Sequence, residues 1–248
     1  MTIGCVVMAR MGSSRLPGKV LKPVGGQPLL DLLVSRLRRV ARLDHVILAT
    51  STDDRDTVIA DRGLHLGIPV FRGSEDDTMD RFLGAVRAFK LDHVVRVTGD
   101  CPLIDPATVS HVVDRVATGA YDYVSTDLTP QYPNGMGCEG YLRQTLERMH
   151  QASRGMDTDQ SWMLARDPAM GFRRGQIAAS RWGDLSSYRL TVDTAEDLEL
   201  ITKIVEALMP HTPEFTLDDI VTLLRQNPDW VTINAHVLQK TGPHRRSA

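Results

Sequence analysis

The sequence lacks several patterns that usually identify a protein's chemistry. The loop after its first apolar run has neither the Gly-x-x-x-x-Gly-Lys-Ser/Thr spacing of a P-loop nor the Gly-x-Gly-x-x-Gly spacing of dinucleotide binders. The eight histidines have no metal-ligand spacing. No apolar run approaches the roughly 20 residues that span a bilayer. We therefore expect no zinc motif, no membrane span and no membrane partner.

Cysteine and excess positive charge are also scarce. The three cysteines, Cys5, Cys101 and Cys138, are odd in number and far apart, which excludes a disulfide framework and favours a reducing, cytoplasmic location. With 29 basic and 31 acidic residues the formal net charge is -2, so no general basic field favours nucleic acid. The length of 248 residues predicts one domain over 1–240 with a flexible tail over 241–248.

What the sequence does contain is an alternation of apolar runs and amphipathic segments. The apolar runs predict strands at 3–7, 46–50, 70–71, 94–97, 121–124 and 189–193. Helical periodicity predicts helices at 28–42, 56–65, 78–89 and 141–152. Alternation of this kind is typical of an α/β fold with a mixed, mostly parallel sheet flanked by helices. The loops after the strands then meet at one edge of the sheet, where such folds bind ligands.

The loop after the first strand carries three cations among small residues. Arg10, Arg15 and Lys19 are interleaved with glycine, serine and proline. Backbone N–H groups and cations in a shaped loop of this type can converge on a polyphosphate. The loop therefore predicts a nucleoside triphosphate as ligand.

Two aspartates follow predicted strands and precede predicted helices. Asp100 comes directly after the run 94–97, and Asp193 ends the run 189–193. Carboxylates beside a triphosphate normally hold Mg²⁺, which prefers hard oxygen ligands. The alternative is that either residue caps the helix that follows it. We predict that both bind Mg²⁺.

Five segments resemble the cytidylyltransferase family, in particular its spore-coat polysaccharide branch, which is related to the enzymes that activate 3-deoxy-manno-octulosonate and N-acylneuraminate. The segments are 9–19, 71–75, 80–81, 98–105 and 190–194. The resemblance implies a Rossmann-like nucleotidyltransferase fold, Mg²⁺ as cofactor, CTP as donor, and release of pyrophosphate when an acceptor oxygen attacks the α-phosphorus.

The resemblance also implies roles for individual residues. Arg10, Arg15, Lys19 and Asp100 would be the catalytic set, with Asp100 and Asp193 on the metal. The residues implied to bind the nucleotide are Ala9, Arg10, Met11, Gly12, Ser13, Arg15, Lys19, Arg72, Gly99 and Asp100.

The acceptor side departs from the family pattern. Residues 134–139 read Asn-Gly-Met-Gly-Cys-Glu, where the spore-coat branch usually has Asp-Gly-Leu-Asp-Val-Glu. Asn134 and Glu139 are predicted to contact a small anionic acceptor, namely a sugar acid, a sugar phosphate or a related acid. The segment 132–172 is predicted to lie on the acceptor side or to form a homodimer interface.

Two other functions remain open at this point. One is a glycosyltransferase that uses a nucleotide sugar, although no compact Asp-x-Asp element follows a strand. The other is a nucleotide-binding homologue without activity, which the changes at 134–139 allow. Cys101 and Cys138 are interpreted as packing residues because nothing in the sequence lowers the pKa of either thiol.

Overall fold

A seven-stranded sheet forms the centre of the computed structural model, which describes residues 1–177 and 182–239. The strands are β1 (Ile3–Met8), β2 (Pro23–Val24), β3 (Gln27–Pro28), β4 (His45–Ser51), β5 (Val70–Gly73), β6 (His93–Thr98), β7 (Tyr123–Ser125), β8 (Glu139–Leu142) and β9 (Arg174–Gln176). The predicted tail over 241–248 lies outside the described residues.

Helices connect most of these strands. They are α1 (Leu29–Leu37), α2 (Thr57–His65), α3 (Thr78–Ala88), α4 (Pro106–Ala117), α5 (Arg143–Ala152), α6 (Thr158–Met163), α7 (Ala195–Leu208), α8 (Leu217–Gln226) and α9 (Pro228–Val231). Short 3-10 helices cover Lys19–Leu21, Asp54–Asp56, Leu164–Arg166 and Pro168–Met170.

The strand order is β5-β4-β1-β6-β8-β7-β9, and β2 pairs only with β3. Strands β5, β4, β1 and β6 are parallel to one another, and β8 runs antiparallel to both β6 and β7. Strand β9 is parallel to β7. The predicted α/β fold with a mixed, mostly parallel sheet is confirmed.

Alternation along the strands divides the core into layers. Cys5 and Val7 of β1 pack in one apolar cluster with residues of α1 and α4, whereas Val6 packs in a second cluster with residues of α3 and α5. This is the period of two that a strand covered on both faces requires. A third cluster joins α7 and α8 to Leu190 and Val192. The sheet is therefore buried on both faces, whereas the carboxyl ends of its parallel strands β1 and β6 open on a cavity.

The N-termini of α4 and α7 show whether Asp100 and Asp193 act as helix caps. Asp105, not Asp100, caps α4, because its side chain accepts the Thr108 N–H bond at 2.9 Å. Thr194, not Asp193, caps α7, in a reciprocal capping box with Asp197. The interpretation of Asp100 and Asp193 as helix caps is therefore wrong.

Two predicted elements differ from the structure. Residues 189–193 do not form a strand of the sheet: among the described residues this segment makes one isolated bridge, between Arg189 and Asn134. The predicted helix at 141–152 begins instead with strand β8, and α5 starts at Arg143. In both cases local periodicity misled the prediction, because an apolar extended segment can bind loops instead of strands and a short strand has too few residues to show its period.

Candidate active site

A cavity of about 380 Å³ opens at the carboxyl ends of β1 and β6. The sequence predicts a ligand-binding crevice at this position, where the loops after the parallel strands meet. Nine residues singled out from the sequence line it: Ala9, Arg10, Gly12, Ser13, Arg15, Lys19, Gly99, Asp100 and Asp193. Arg81, from the segment 80–81 that resembles the family, also lines the cavity, and so do Thr78 and Arg96, which were not predicted. We name two parts of the cavity after the roles that we propose for them: the donor end around Lys19, Asp100 and Asp193, and the acceptor end around Thr78, Arg81 and Arg96.

The loop after β1 is shaped by its own backbone. The N–H groups of Ser13 and Gly18 both donate to the Met11 carbonyl, at 2.8 and 3.2 Å. Gly18 has a φ of 66°, a left-handed conformation that favours glycine, and the 3-10 helix starting at Lys19 follows immediately. The Met11 N–H donates to the Asp56 carboxylate at 2.6 Å. This loop returns on itself, so that Lys19 comes back to the cavity that Arg10 enters.

The central observation at the donor end is an ammonium group between two carboxylates. Lys19 Nζ lies 2.7 Å from Asp100 Oδ2 and 2.7 Å from Asp193 Oδ1. The other oxygen of Asp193 binds Arg15 at 2.7 Å and Arg189 at 2.9 Å. Burial works to lower the pKa of Lys19, but the two carboxylates outweigh it and the pKa is raised. Burial likewise works to raise the pKa of Asp193, but Lys19 and the two arginines lower it.

Asp193 reaches this position through its neighbours and not through a strand. The N–H of Val192 donates to the Asp100 carbonyl at 2.8 Å, which ties the two carboxylate-bearing loops together. The Asp193 N–H donates to Asp197 at 2.9 Å, and Asp197 also binds the guanidinium of Arg189. Asp193 is therefore held by main-chain bonds on one side and by a helix N-terminus on the other.

Asn134 supports this arrangement from outside the cavity. Its carbonyl accepts the Leu190 N–H bond at 2.6 Å, and its side chain donates to Gln239 at 2.6 Å. Next to it, Gly135 has a φ of 102°, and a Cβ there would lie 2.4 Å from the Leu190 carbonyl carbon. Asn134 does not line the cavity. The prediction that it contacts the acceptor is not supported by its position.

Glu139 also lies behind the cavity wall. It binds Arg96 Nη1 at 2.7 Å and accepts a hydrogen bond from the Tyr123 hydroxyl at 2.5 Å. Burial works to raise the pKa of Glu139, but Arg96 and the other donors lower it below its ordinary value. The residue that faces the cavity is Arg96. Glu139 does not line the cavity, and its contact with the acceptor stays a prediction.

Two residues that are predicted to bind the nucleotide do not line the cavity. Arg72 donates to the carbonyls of Ser51 and Asp53, at 3.0 and 2.8 Å, and so braces the loop after β4. Met11 contributes its backbone to the folding of the β1 loop, as described above. Neither residue lines the cavity.

Sequence reasoning missed the wall at the acceptor end. Arg96 stacks on Trp162, with its guanidinium carbon 4.0 Å from the ring centroid, and the Trp162 N–H donates to Thr78 Oγ1 at 3.0 Å. One signal was available: Arg96 is a charge inside the apolar run 94–97, and a charge in a covered strand needs a partner. The partner, Glu139, lies on β8, which the sequence did not predict as a strand.

The cysteines have no reactive environment. Burial raises the pKa of the Cys5, Cys101 and Cys138 thiols. Cys101 lies beside Asp100, which also disfavours the thiolate. The interpretation of these residues as packing residues agrees with their burial.

Metal binding is limited to what two carboxylates can offer. Within 1–177 and 182–239 no group of three or more His, Cys, Asp or Glu side chains could hold a metal ion. Asp100 and Asp193, however, converge on one point, and a cationic group, Lys19 Nζ, lies there. Two carboxylates plus substrate phosphates are a donor set that suits Mg²⁺. The residues fit a divalent cation that binds together with a triphosphate. In the same described ranges no helix is long and apolar enough to cross a membrane.

The sequence matches one family model and, over nearly its whole length, a relative. Residues 4–134 match the sequence model of the family described as "Cytidylyltransferase". The chain is 32% identical, over 231 residues, to the spore coat polysaccharide biosynthesis protein SpsF of Bacillus subtilis, and the match covers 92% of this chain and 95% of that protein.

Solved structures agree with these sequence matches. A cytidylyltransferase from Leptospira borgpetersenii superposes with a TM-score of 0.84 and 28% identity, covering 93% of this chain and 97% of the other. A CMP:2-keto-3-deoxy-manno-octonic acid synthetase complexed with CTP superposes with a TM-score of 0.65 and 21% identity, covering 84% and 100%. The nucleotidyltransferase fold is thereby shown.

Proposed function

This chain belongs to the cytidylyltransferase family, and from that premise we propose that it transfers CMP from CTP to a small anionic acceptor, with release of pyrophosphate. The observation that carries the proposal is the donor end, where Lys19 lies between Asp100 and Asp193 and Arg15 lies beside them. Five cationic side chains and two carboxylates line the cavity. That excess of positive charge suits a polyanion such as a nucleoside triphosphate.

The donor end suits the leaving group of nucleotidyl transfer. When an acceptor oxygen attacks the α-phosphorus, the bond to the β-phosphate oxygen breaks and its electron pair leaves with pyrophosphate. In this proposal Arg10, Arg15 and Lys19 neutralise that developing charge. Arg10 is exposed and has no ion-pair partner among the described residues, so its full charge is available to a ligand. CTP as donor is supported by the fold shared with a synthetase solved in complex with CTP.

The two carboxylates would hold Mg²⁺ in the loaded site. Asp100 and Asp193 supply the hard oxygen ligands, and the ion would supply charge neutralisation at the phosphates and polarisation of the attacking oxygen. Lys19 Nζ lies where such an ion would interact with both carboxylates. We infer that a bound triphosphate attracts Lys19 to its own oxygens and so frees Asp100 and Asp193.

The acceptor is proposed to be a sugar acid, a sugar phosphate or a related small acid. Its support is the name of the Bacillus subtilis relative, which places that protein in spore coat polysaccharide biosynthesis, and the arginines at the acceptor end. A single domain over 1–240, a cytoplasmic location and a homodimer through 132–172 stay predictions.

The test measures pyrophosphate release from CTP, UTP, GTP and ATP with Mg²⁺ and a pooled panel of sugar acids, sugar phosphates and phosphonates. We expect release with CTP alone, and division of the pool then identifies the acceptor. Where a carboxylate of the site is replaced, as in Asp100→Asn, the matched control is Asp114→Asn, because Asp114 forms an exposed surface pair with Arg42. Transfer of sugar from a nucleotide sugar without pyrophosphate release, or binding of CTP without turnover on any acceptor, would overturn the proposal.

A further inference from the structure

Arg96 is a cation on the cavity wall that the protein holds from two sides. Its Nη1 binds Glu139 at 2.7 Å, and Glu139 is itself held by the Tyr123 hydroxyl. Its guanidinium stacks on Trp162, which is tied to Thr78 on α3. Although it is held on two sides, 23% of the Arg96 side chain remains exposed, and it lines the cavity. An arginine fixed in this way loses little conformational freedom when it binds a ligand.

The anchoring leaves one edge of this guanidinium unused. Arg96 Nη1 serves Glu139, whereas Arg96 Nε is buried and has no hydrogen-bond partner among the described residues. Arg81, on the same cavity, repeats the pattern: its Nη1 donates to the carbonyls of Ser74 and Glu75, and its Nε has no partner within the described ranges. Neither Nε is accessible to solvent, so the nitrogen that each arginine can present to a ligand in the cavity is Nη2, which makes no hydrogen bond within the described residues. A guanidinium nitrogen of this kind donates a charge-assisted hydrogen bond to a carboxylate or phosphate oxygen.

The charge of Arg81 is only partly offset by the protein. Arg81 is buried, and burial together with the nearby Arg10 guanidinium lowers its pKa, although Asp56, Glu75 and Asp77 act in the opposite direction. Like charges that oppose each other in this way are stabilised by an anionic ligand. Glu139 compensates Arg96, but no described acidic side chain forms an ion pair with Arg81.

Arg96 and the carboxylates share one cavity. Arg96 lies on β6, and Asp100 follows the turn at the end of the same strand. A small acceptor bound at Arg96 would therefore lie in the same cavity as the donor end.

We propose that Arg96, assisted by Arg81, binds an oxyanionic group of the acceptor, either a carboxylate or a phosphate-type group, and that Glu139 and Trp162 position Arg96 for this task. The proposal rests on the proposed function for the identity of the donor, but the anion site itself does not require turnover. It replaces direct contacts of Asn134 and Glu139 with the acceptor.

The test uses simple oxyanions as probes. Methylphosphonate and acetate are titrated at constant ionic strength and followed by ligand-detected NMR. In a Trp182→Phe, Trp230→Phe background, Trp162 emission reports on the stacked guanidinium, because the chain has three tryptophans. We expect saturable binding of at least one probe with a change in Trp162 emission, and Arg96→Met raises its Kd roughly ten- to a hundredfold. The probe that binds more tightly tells a carboxylate from a phosphate-type group.

The matched control is Arg166→Met. Arg166 also pairs with Glu139, at 3.6 Å, but does not line the cavity. This variant should bind the probes like the parent protein. Equal probe binding by Arg96→Met, or no saturable binding of either probe by the parent, would overturn the inference. CTP binding, measured by calorimetry on the same variants, should be unchanged by Arg96→Met. Failure of the parent protein to bind CTP would instead overturn the proposed function.

Discussion

The two ends of the cavity are built in opposite ways. At the donor end, Lys19 lies between Asp100 and Asp193, and Asp193 also binds Arg15 and Arg189, so these charges have partners that a ligand can replace. At the acceptor end, Arg96 is pinned by Glu139 and Trp162 and keeps one edge unused. When the donor end binds a ligand, its ion pairs are replaced by contacts with that ligand. When the acceptor end binds a ligand, the contacts of Arg96 with Glu139 and Trp162 stay in place. Substitutions at the two ends should therefore fail in different measurements.

The largest effect is expected from Asp100→Asn at the donor end. The amide keeps the shape but removes the charge that Lys19 and a divalent cation both require, so we expect kcat/KM to fall roughly a thousandfold or more. Thermal unfolding should change little, because Asp100 is partly exposed and caps no helix. Steady-state kinetics checks this, with Asp114→Asn as the control. Activity within tenfold of the parent would remove Asp100 from the proposed mechanism.

The second largest effect is expected at Gly135, which packs against the Leu190 backbone close to Asp193. Gly135→Ala puts a Cβ 2.4 Å from the Leu190 carbonyl carbon at a φ of 102°, and we expect it to lower the free energy of unfolding by roughly 1–3 kcal/mol. Activity should fall with it, because residues 189–193 must shift. Gly137→Ala is the control: a Cβ there has no atom within 4 Å, so denaturant unfolding should match the parent. Equal stability of both variants would contradict this account of Asp193.

A smaller effect tests whether the donor end exchanges its cation. Lys19→Met leaves Asp100 and Asp193 facing each other without the ammonium, and we expect Mn²⁺ to bind at least about tenfold more tightly in the absence of nucleotide. Calorimetry or electron paramagnetic resonance measures this directly, without turnover. The parent protein should bind Mn²⁺ well only when CTP is present. Equal Mn²⁺ affinity of variant and parent without nucleotide would show that Lys19 does not compete for the two carboxylates.

The smallest effect is a pH dependence at the acceptor end. Arg96 and its neighbours hold the pKa of Glu139 below its ordinary value of 4.5, so the folded state binds this proton less readily than the unfolded chain does. The ion pair therefore adds stability above pH 4.5 that is lost as the pH falls below it. We expect the stability difference between the parent and Glu139→Gln to shrink over that range in urea titrations. A difference independent of pH would contradict the ion pair.

Much of the fold could be predicted because it depends on local patterns. The alternation of apolar runs and helical segments, visible for β1, β4 and β6, was enough for a mostly parallel sheet with its ligand edge. Strand β8 was missed because four residues, Glu139–Leu142, are too few to show a period and precede a strong helix signal. The segment 189–193 was placed in the sheet because its apolar residues alternate, whereas they pack under α7 and α8.

The β1 loop with its three cations could be predicted from its own residues. Arg10, Arg15 and Lys19 lie within ten residues of one another, and glycine and proline at their spacings leave the backbone few alternatives. The position of Lys19 between Asp100 and Asp193, and the support of Arg96 by Glu139 and Trp162, became visible in the folded chain. These residues are distant in the chain and share no periodicity. Long-range backbone pairing and the need to compensate buried charge bring them together, and both arise only when the whole core has packed.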